Sequence, residues 1–184
     1  MIRRFSFLLF IVLMTLHLQA QYRIINKNKS WNVLKSYKEQ KTISYKFLND
    51  TIINGKIYSS LYYSFSDRLD STDLNFAGFV REDTLKGNVY LRFMTGEEFV
   101  IYNFIVQPCA IIKLPSYNLA TKIYFEVDFI DSVIINGEKK KRLYLTSLDN
   151  AVAKDQIWIE GIGSVVGLIE TGEVQYGRYW SMLA

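Results

Sequence analysis

The stretches "DTIINGKIY" (Asp50–Tyr58) and "DSVIINGEKKKRLYL" (Asp131–Leu145) decide the fold, because each places Asn-Gly between two apolar runs. Both central residues of a two-residue type I′ turn need positive φ, which Asn and Gly tolerate best. Each stretch therefore predicts a β-hairpin. The shared pattern fits an internal duplication, or two hairpins built under one turn rule, and both explanations stay open.

Strand-like alternation continues outward from these hairpins. Apolar residues occupy every second position in "TISYKFLN" (residues 42–49) and "GNVYLRFM" (residues 87–94), which predicts a buried face for each segment. "NKSWNVLKSYKEQ" (residues 28–40) fits either a short helix capped by Ser30 or a strand that begins at Trp31. The pattern predicts an all-β fold, an antiparallel meander curled into an open barrel or a sandwich.

The first twenty residues have the organisation of a secretory signal peptide. Arg3 and Arg4 precede an apolar run, and a short polar stretch ends at Ala20. We expect a signal-peptide helix at residues 1–20, with an uncleaved anchor as the alternative. Residues 21–184 contain two prolines and no Gly-rich or Ser-rich linker, so they predict a single β-rich domain that is secreted or periplasmic.

Removal of the signal peptide restricts the chemistry of the mature chain. His17 is the only histidine, so its loss excludes Ser-His-Asp and Cys-His catalysis and histidine-ligated zinc. The 22 basic residues, less Arg3 and Arg4, leave 20 against 18 acidic ones. That balance gives no reason to expect a nucleic-acid partner. Cys109 is the only cysteine, and its apolar neighbours predict a small buried hydrophobic residue.

The glycine run in "DQIWIEGIGSVVGLIE" (Asp155–Glu170) does not have the spacing of a nucleotide-binding loop. It reads G-x-G-x-x-x-G, and the β-branched pair Val165 and Val166 lies where a helix would be needed. We therefore expect no nucleotide and no other cofactor. The run predicts a strand at Gln156–Glu160, a glycine bend, and a second strand at Val165–Glu170.

Acidic residues supply the only candidates for catalysis or metal binding. Glu160 lies in an apolar stretch, and a pair of Glu160 with Glu82 or Asp83 would suit a glycosidase-like hydrolase. Without a catalytic role, Glu160 would simply be a strand residue whose side chain faces outward. "SDRLDSTDLN" (residues 66–75) fits a solvated loop or, less well, a calcium site. The basic run at residues 139–142 predicts a solvated hairpin arm. No residue is assigned a catalytic, cofactor-binding or metal-binding role.

Aromatic side chains are the remaining candidates for ligand contacts. The mature chain holds Trp31, Trp158 and Trp180 together with many Tyr and Phe residues. Exposed rings can stack on sugar faces, and rings on a sheet also simply fill a core. The sequence pattern does not separate these two roles.

The chain resembles a recurring group of exported, uncharacterised β-rich proteins and lipoproteins of Bacteroidota, among them N-terminal domains of type IX secretion-associated proteins. The resemblance rests on Trp31 and on these segments: "DTIINGKIY", "GFVREDTLKGNVYL", "EEFVIYNF", "DSVIINGEKKKRLYL" and "WIEGIGSVVGL". It implies an exported β-rich domain and brings neither a mechanism nor a ligand.

Three segments are also similar to the Asp-Ser/Thr-aliphatic motif that this phylum uses for protein O-glycosylation. They are Asp50-Thr51-Ile52, Asp83-Thr84-Leu85 and Asp131-Ser132-Val133. Whether any of them is modified is left open, since Asp followed by Ser or Thr is also natural at strand starts.

The sequence favours a non-enzymatic exported domain that binds another envelope protein or a glycan. A carboxylate-dependent hydrolase that uses Glu160 with Glu82 or Asp83 is the alternative. Enzyme activity is therefore left open, with binding favoured. Membrane contact is expected only through the signal peptide before cleavage. Oligomeric state and passage across the outer membrane are not indicated.

Overall fold

The computed structural model describes residues 23–37, 39–66, 73–115, 122–148, 153 and 155–169. Within these residues the chain is all-β, with eleven strands and no helix. The predicted signal-peptide helix at residues 1–20 and the domain start at residue 21 lie outside them. The predicted all-β class is confirmed, and of the two alternatives for residues 28–40 the strand is the one formed.

The strands form two curled antiparallel sheets, each a meander in which every strand pairs with its neighbour along the chain. The first sheet consists of β1 (Ser30–Tyr37), β2 (Glu39–Ile53), β3 (Lys56–Ser64), β4 (Asn75–Asp83), β5 (Asn88–Arg92) and β6 (Glu98–Asn103). The second consists of β7 (Ile111–Pro115), β8 (Lys122–Ile135), β9 (Glu138–Ser147), β10 (Gln156–Ile159) and β11 (Gly163–Ser164).

Both Asn-Gly pairs form the tight turns that their chemistry predicts. Asn54 and Asn136 each have a φ of 51°, while Gly55 and Gly137 have φ values of 74° and 78°. Strand pairing closes directly beside each turn, with Ile53 opposite Lys56 in the first hairpin. The two hairpins, β2–β3 and β8–β9, are therefore confirmed.

One apolar core draws side chains from both sheets. In the first sheet the predicted inward faces are buried, as Phe47 on β2 and Leu91 on β5 show. Phe125 on β8, Leu143 on β9 and Trp158 on β10 are fully buried within the same cluster. Trp158 is thus a core residue, and Trp180 lies outside the described residues.

Cys109 departs from its predicted burial. It is exposed, and it lies in the loop between β6 and β7 with a φ of 65°. Its N–H donates to the carbonyl of Val127 at 2.8 Å, which holds the loop against β8. The prediction of a buried residue was wrong because β6 ends at Asn103 and β7 begins only at Ile111, so Cys109 lies in a loop and not in a strand that would carry it into the core.

Candidate functional site

A groove of about 500 Å³ lies where the start of the first sheet meets the second hairpin. Its volume falls within the range of ligand pockets, roughly 300–1,000 Å³. Three chain segments line it, contributing Lys29, Ser30 and Trp31, then Ile135, Asn136, Glu138 and Lys140, and finally Gly161 and Ile162. The groove therefore joins the strand that begins at Ser30, the tip of the second Asn-Gly hairpin and the glycine run.

Trp31 is held in place from two directions. Its indole N–H donates to the carbonyl of Ile162 at 2.8 Å, and its ring meets the edge of Phe47 with the ring centroids 5.5 Å apart. The side chain is only half-buried, because one part of it borders the groove. A fixed, partly exposed tryptophan offers an apolar surface whose position costs little further entropy on binding.

Among the residues that the structure describes, the charged groups of the groove are an ion pair and one further cation, Lys29. The ammonium of Lys140 lies 2.5 Å from the carboxylate of Glu138. The hydrogen bond from Lys140 holds the pKa of Glu138 below its usual value, and Lys29 adds a smaller effect. Asn136 and Ser30 add uncharged polar groups. The groove therefore presents donors and acceptors beside an aromatic ring, and its three charged side chains include one ion pair.

The glycine run turns the sheet, as predicted. β10 ends at Ile159, which pairs with Gly163 on β11, and Gly161 in the turn has a φ of 72°. The predicted first strand is confirmed at Gln156–Ile159. The second, at Val165–Glu170, was wrong for residues 165–169, because a bridge between Ser164 and Gly167 reverses the chain there; Glu170 lies outside the described residues.

Tyr102 explains why Gly163 must be a glycine. The Tyr102 hydroxyl accepts from the Ser164 N–H at 3.0 Å and donates to the Leu168 carbonyl at 2.5 Å. A Cβ on Gly163 would lie 3.0 Å from this hydroxyl, and the φ of Gly163 is +99°. The absence of a side chain lets the turn rest directly on the tyrosine of the other sheet.

Glu160 is buried, with 3% of its surface exposed. Its N–H donates to the Lys141 carbonyl at 2.9 Å, and the Lys141 N–H donates to Glu160 Oε2 at 3.0 Å. The side chain thus supplies an acceptor at the point where the chain turns away at Gly161. Glu160 Oε1 is buried without a hydrogen-bond partner, and burial raises the pKa of this carboxyl group. The role of Glu160 in the fold is to close the ladder between β9 and β10.

The basic run at residues 139–142 is not the solvated arm that was predicted. Lys139 is exposed, but the ammonium of Lys141 turns inward and donates to the carbonyl of Phe104 at 2.7 Å. Burial lowers the pKa of Lys141. Arg142 pairs with Asp131, so the four basic residues have four different environments. Strand alternation separates neighbours that look alike in the sequence.

The carboxylates proposed for hydrolysis have separate backbone partners. Glu82 accepts from the N–H groups of Ile24 and Ile25, and burial raises its pKa. Asp83 accepts from the Lys86 N–H at 3.1 Å. Together with the bond between Lys141 and Glu160, these contacts give each carboxylate a role in holding the local backbone.

The predicted calcium loop is only partly described. Asp67 and Asp70 lie outside the described residues, and the side-chain amide of Asn75 donates to the carbonyl of Asp73 at 3.3 Å. Among the residues with described positions, no group of three or more His, Cys, Asp or Glu side chains is arranged to hold a metal ion.

A polar cluster on the first sheet was not predicted from the sequence. The guanidinium of Arg81 donates to both carboxylate oxygens of Glu98 at 2.7 Å, and the Tyr58 hydroxyl donates to the same carboxylate. Arg81 also lies 3.7 Å from the ring centroid of Tyr90. The hydrogen bond from Arg81 lowers the pKa of Glu98 to about 2. This cluster fastens β3, β4, β5 and β6 together.

The chain matches no protein-family model, no curated protein and no solved structure. Over the part of the chain that is described, no helix has the length and hydropathy to cross a membrane.

Replacing Glu160 with Gln should preserve the fold and flatten the dependence of stability on pH. Because burial raises the pKa of Glu160 above 4.5, its contribution to stability is fully present below that value and is lost as pH rises through the folded-state pKa. Glu160→Gln removes this loss. Urea unfolding at pH 4 and pH 8 should show the variant at least as stable as the parent at pH 8.

The matched variant Glu160→Ala removes the acceptor for the Lys141 N–H as well as the charge. It should therefore be less stable than the parent at both pH values. A large loss of stability in Glu160→Gln at pH 8 would contradict the destabilising effect that burial of the charged carboxylate is expected to have at that pH.

Proposed function

We propose that this protein is a non-enzymatic exported domain of the bacterial cell envelope, and that the groove beside Trp31 binds a neutral glycan. The observation that carries the proposal is the fixed, half-exposed tryptophan in a groove lined by polar groups. Sugar rings present both an apolar face and many hydroxyl groups, so they need an aromatic surface beside donors and acceptors.

The ion pair in the groove favours a neutral glycan over an acidic one. The Lys140 ammonium is paired with Glu138, and Lys29 lies near enough to Glu138 to lower its pKa. A site for an anionic ligand would keep its cations free of carboxylates. Binding should therefore change little when salt is raised, since a neutral ligand has no charge whose attraction to the groove could be screened.

The groove suits a glycan better than an envelope protein. Stable protein interfaces bury about 1,200–2,000 Å² and have an apolar centre depleted of charge. Here an ion pair lies in the lining, and among the lining residues that the structure describes Trp31 is the one aromatic side chain. An envelope protein remains the competing partner, and the binding experiment below distinguishes the two.

The placement outside the cytoplasm rests on the sequence. The signal-peptide pattern at residues 1–20 and the resemblance to exported β-rich proteins of Bacteroidota support a secreted or periplasmic single domain at residues 21–184. We also propose that its two curled sheets pack as a sandwich, since side chains from both sheets share one core cluster. No nucleic acid or nucleotide is expected as a partner.

Replacing Trp31 with Ala should weaken glycan binding about tenfold or more, because the ring supplies the apolar contact; tenfold corresponds to about 1.4 kcal/mol. A panel of neutral and acidic glycans and envelope extracts would be screened by thermal shift and pull-down. Trp31→Phe keeps an aromatic ring against Phe47, so it should retain part of the affinity.

The neighbouring variant Asn32→Ala is the matched control. Asn32 is exposed and, by strand alternation, faces away from the side chain of Trp31. It should bind as the parent does. Binding that is unchanged in Trp31→Ala, or recovery of a single envelope protein in place of any glycan, would contradict the proposal.

The hydrolase alternative is supported by one observation, the buried Glu160 with its raised pKa. Catalysis of that class requires a second carboxylate about 5–10 Å away, for which Glu82 and Asp83 were the candidates. Turnover of a bound glycan by the parent protein and its loss in Glu160→Gln, with the fold intact, would establish the hydrolase in place of the binding domain.

Modification by O-glycosylation at Thr51, Thr84 or Ser132 stays a prediction. Ser132 is exposed, while Thr51 and Thr84 are half-buried. A covalent glycan needs an accessible hydroxyl group, so Ser132 is the site we would expect to be occupied first. Intact-mass measurement of the exported protein and of Ser132→Ala would test this directly.

A further inference from the structure

The wall of the groove continues along one face of the β8–β9 hairpin. From the tip downward, Ile135 pairs with Glu138, Val133 with Lys140, Asp131 with Arg142 and Phe129 with Tyr144. Side chains two positions apart in a strand lie on the same face. These four pairs therefore form a single ladder, which we call the hairpin track. Its upper end is the groove, since Ile135, Glu138 and Lys140 line it.

The lower end of the hairpin track carries a second aromatic surface. The rings of Phe129 and Tyr144 stack with centroids 3.9 Å apart and an interplanar angle of 14°. Phe129 is 46% exposed although it is a large apolar residue. The register shift between Val127 and Phe129 places this ring on the outer face, opposite Tyr144. The bulge thus provides an exposed ring pair where regular pairing would give another inward residue.

A fixed polar pair lies between the two aromatic ends. The Arg142 guanidinium donates to both oxygens of Asp131, at 2.8 and 2.5 Å, and also lies 5.0 Å from the Tyr144 ring centroid. Both charged side chains remain partly exposed, at 28% and 38%. The pair therefore offers oriented donors and acceptors to a ligand while remaining neutral as a unit.

The dimensions of the hairpin track exceed those of a small ligand. Tyr144 lies six positions after Glu138, which corresponds to about 20 Å at roughly 3.4 Å per residue. Aromatic surfaces at the two ends, with two neutral ion pairs between, repeat the chemistry of the groove along this length. The occupant that fits such a repeat is itself a repeating neutral chain.

We propose that the groove and the hairpin track form one binding site for an extended neutral oligosaccharide, with Trp31 and the Phe129–Tyr144 pair as its two stacking surfaces. The proposal rests on the proposed function, because it assumes that the groove binds sugar. It adds that the ligand is recognised as a long chain, and that affinity increases with its length.

The test uses neutral glucan oligosaccharides from disaccharide to octasaccharide, titrated into the purified protein by calorimetry. The parent should bind the octasaccharide at least about tenfold more tightly than the disaccharide, a gain of about 1.4 kcal/mol. The double variant Phe129→Ala with Tyr144→Ala should lose this gain, so that it binds the octasaccharide about as tightly as the disaccharide. Trp31→Ala should weaken binding of both.

Ile57→Ala is the matched control, since it removes an exposed apolar side chain from the other hairpin. It should retain the gain with length. Equal affinity for short and long oligosaccharides, or a gain with length that persists in the double variant, would contradict binding along the hairpin track. The proposal that the groove binds a glycan would be unaffected. If neither the disaccharide nor the octasaccharide binds, and an envelope protein binds the parent but not Trp31→Ala, then the proposed glycan-binding function is wrong. The proposal for the hairpin track is then wrong as well.

Discussion

Replacing Tyr102 with Phe should lower the free energy of unfolding by about 2–4 kcal/mol, a large effect for the loss of one oxygen atom. The hydroxyl accepts from the Ser164 N–H and donates to the Leu168 carbonyl, and both bonds are buried. Without it, two buried backbone groups lose their partner, each at roughly 1–3 kcal/mol. Urea unfolding followed by tryptophan fluorescence would measure the loss, because Trp158 lies 4.9 Å from the Tyr102 ring.

Tyr62→Phe is the matched control for this variant. Tyr62 lies on the same sheet, and its ring meets the edge of Phe76. Removing its hydroxyl should change stability by less than about 0.5 kcal/mol. If Tyr102→Phe were as mild as Tyr62→Phe, the contact between the glycine run and the first sheet would not have the stabilising role assigned to it.

Replacing Glu98 with Gln should destabilise the protein by about 2 kcal/mol at neutral pH, and the difference from the parent should disappear in acid. Arg81 keeps only 12% of its side chain exposed, so it would be left as a poorly solvated cation without its counter-charge. One pKa unit corresponds to about 1.4 kcal/mol, and the partial exposure of Glu98 reduces the effect through solvent screening.

The pH dependence of this stability difference follows from the direction in which the pKa of Glu98 changes on folding. The pKa of Glu98 falls from 4.5 to about 2 in the folded protein. Its contribution is therefore complete above about pH 4.5 and is lost as pH falls toward 2. Unfolding curves of parent and variant should converge over that interval. Glu97→Gln, at the exposed neighbouring position, should follow the parent throughout; a variant difference that is constant from pH 7 to pH 2.5 would exclude the ion pair as its cause.

Much of the fold could be predicted because the signals for its turns and strands lie within short stretches of sequence. Asn54-Gly55 and Asn136-Gly137 specify their turns through backbone conformation alone, and alternation around Phe47 and Leu91 specifies the buried faces. Cys109 shows where this reasoning fails. Its neighbours are apolar, but β6 ends at Asn103 and β7 begins only at Ile111, so Cys109 lies in a loop. Strand boundaries are poorly marked in a sequence.

The candidate site could not be predicted in the same way. Trp31 was one of three tryptophans of equal interest, and its partner Ile162 is 131 positions away. Lys140 and Lys141 are neighbours in a basic run, yet one lines the groove and the other donates to Phe104. The pairing of Arg81 with Glu98 depends on the register of three strands and on a bulge in β5–β6. These relations arise only from the tertiary arrangement.

The contact between Trp31 and Ile162 has a consequence for the order of events during folding. Each sheet is a meander, so its hairpins can zip locally without waiting for distant segments. The indole N–H of Trp31 can donate to the Ile162 carbonyl only after synthesis has passed Ile162 and β10 has paired with β9. A chain that ends before Gly161 would therefore form both Asn-Gly hairpins and still lack the groove. Ligand binding would then report that the last part of the fold has formed.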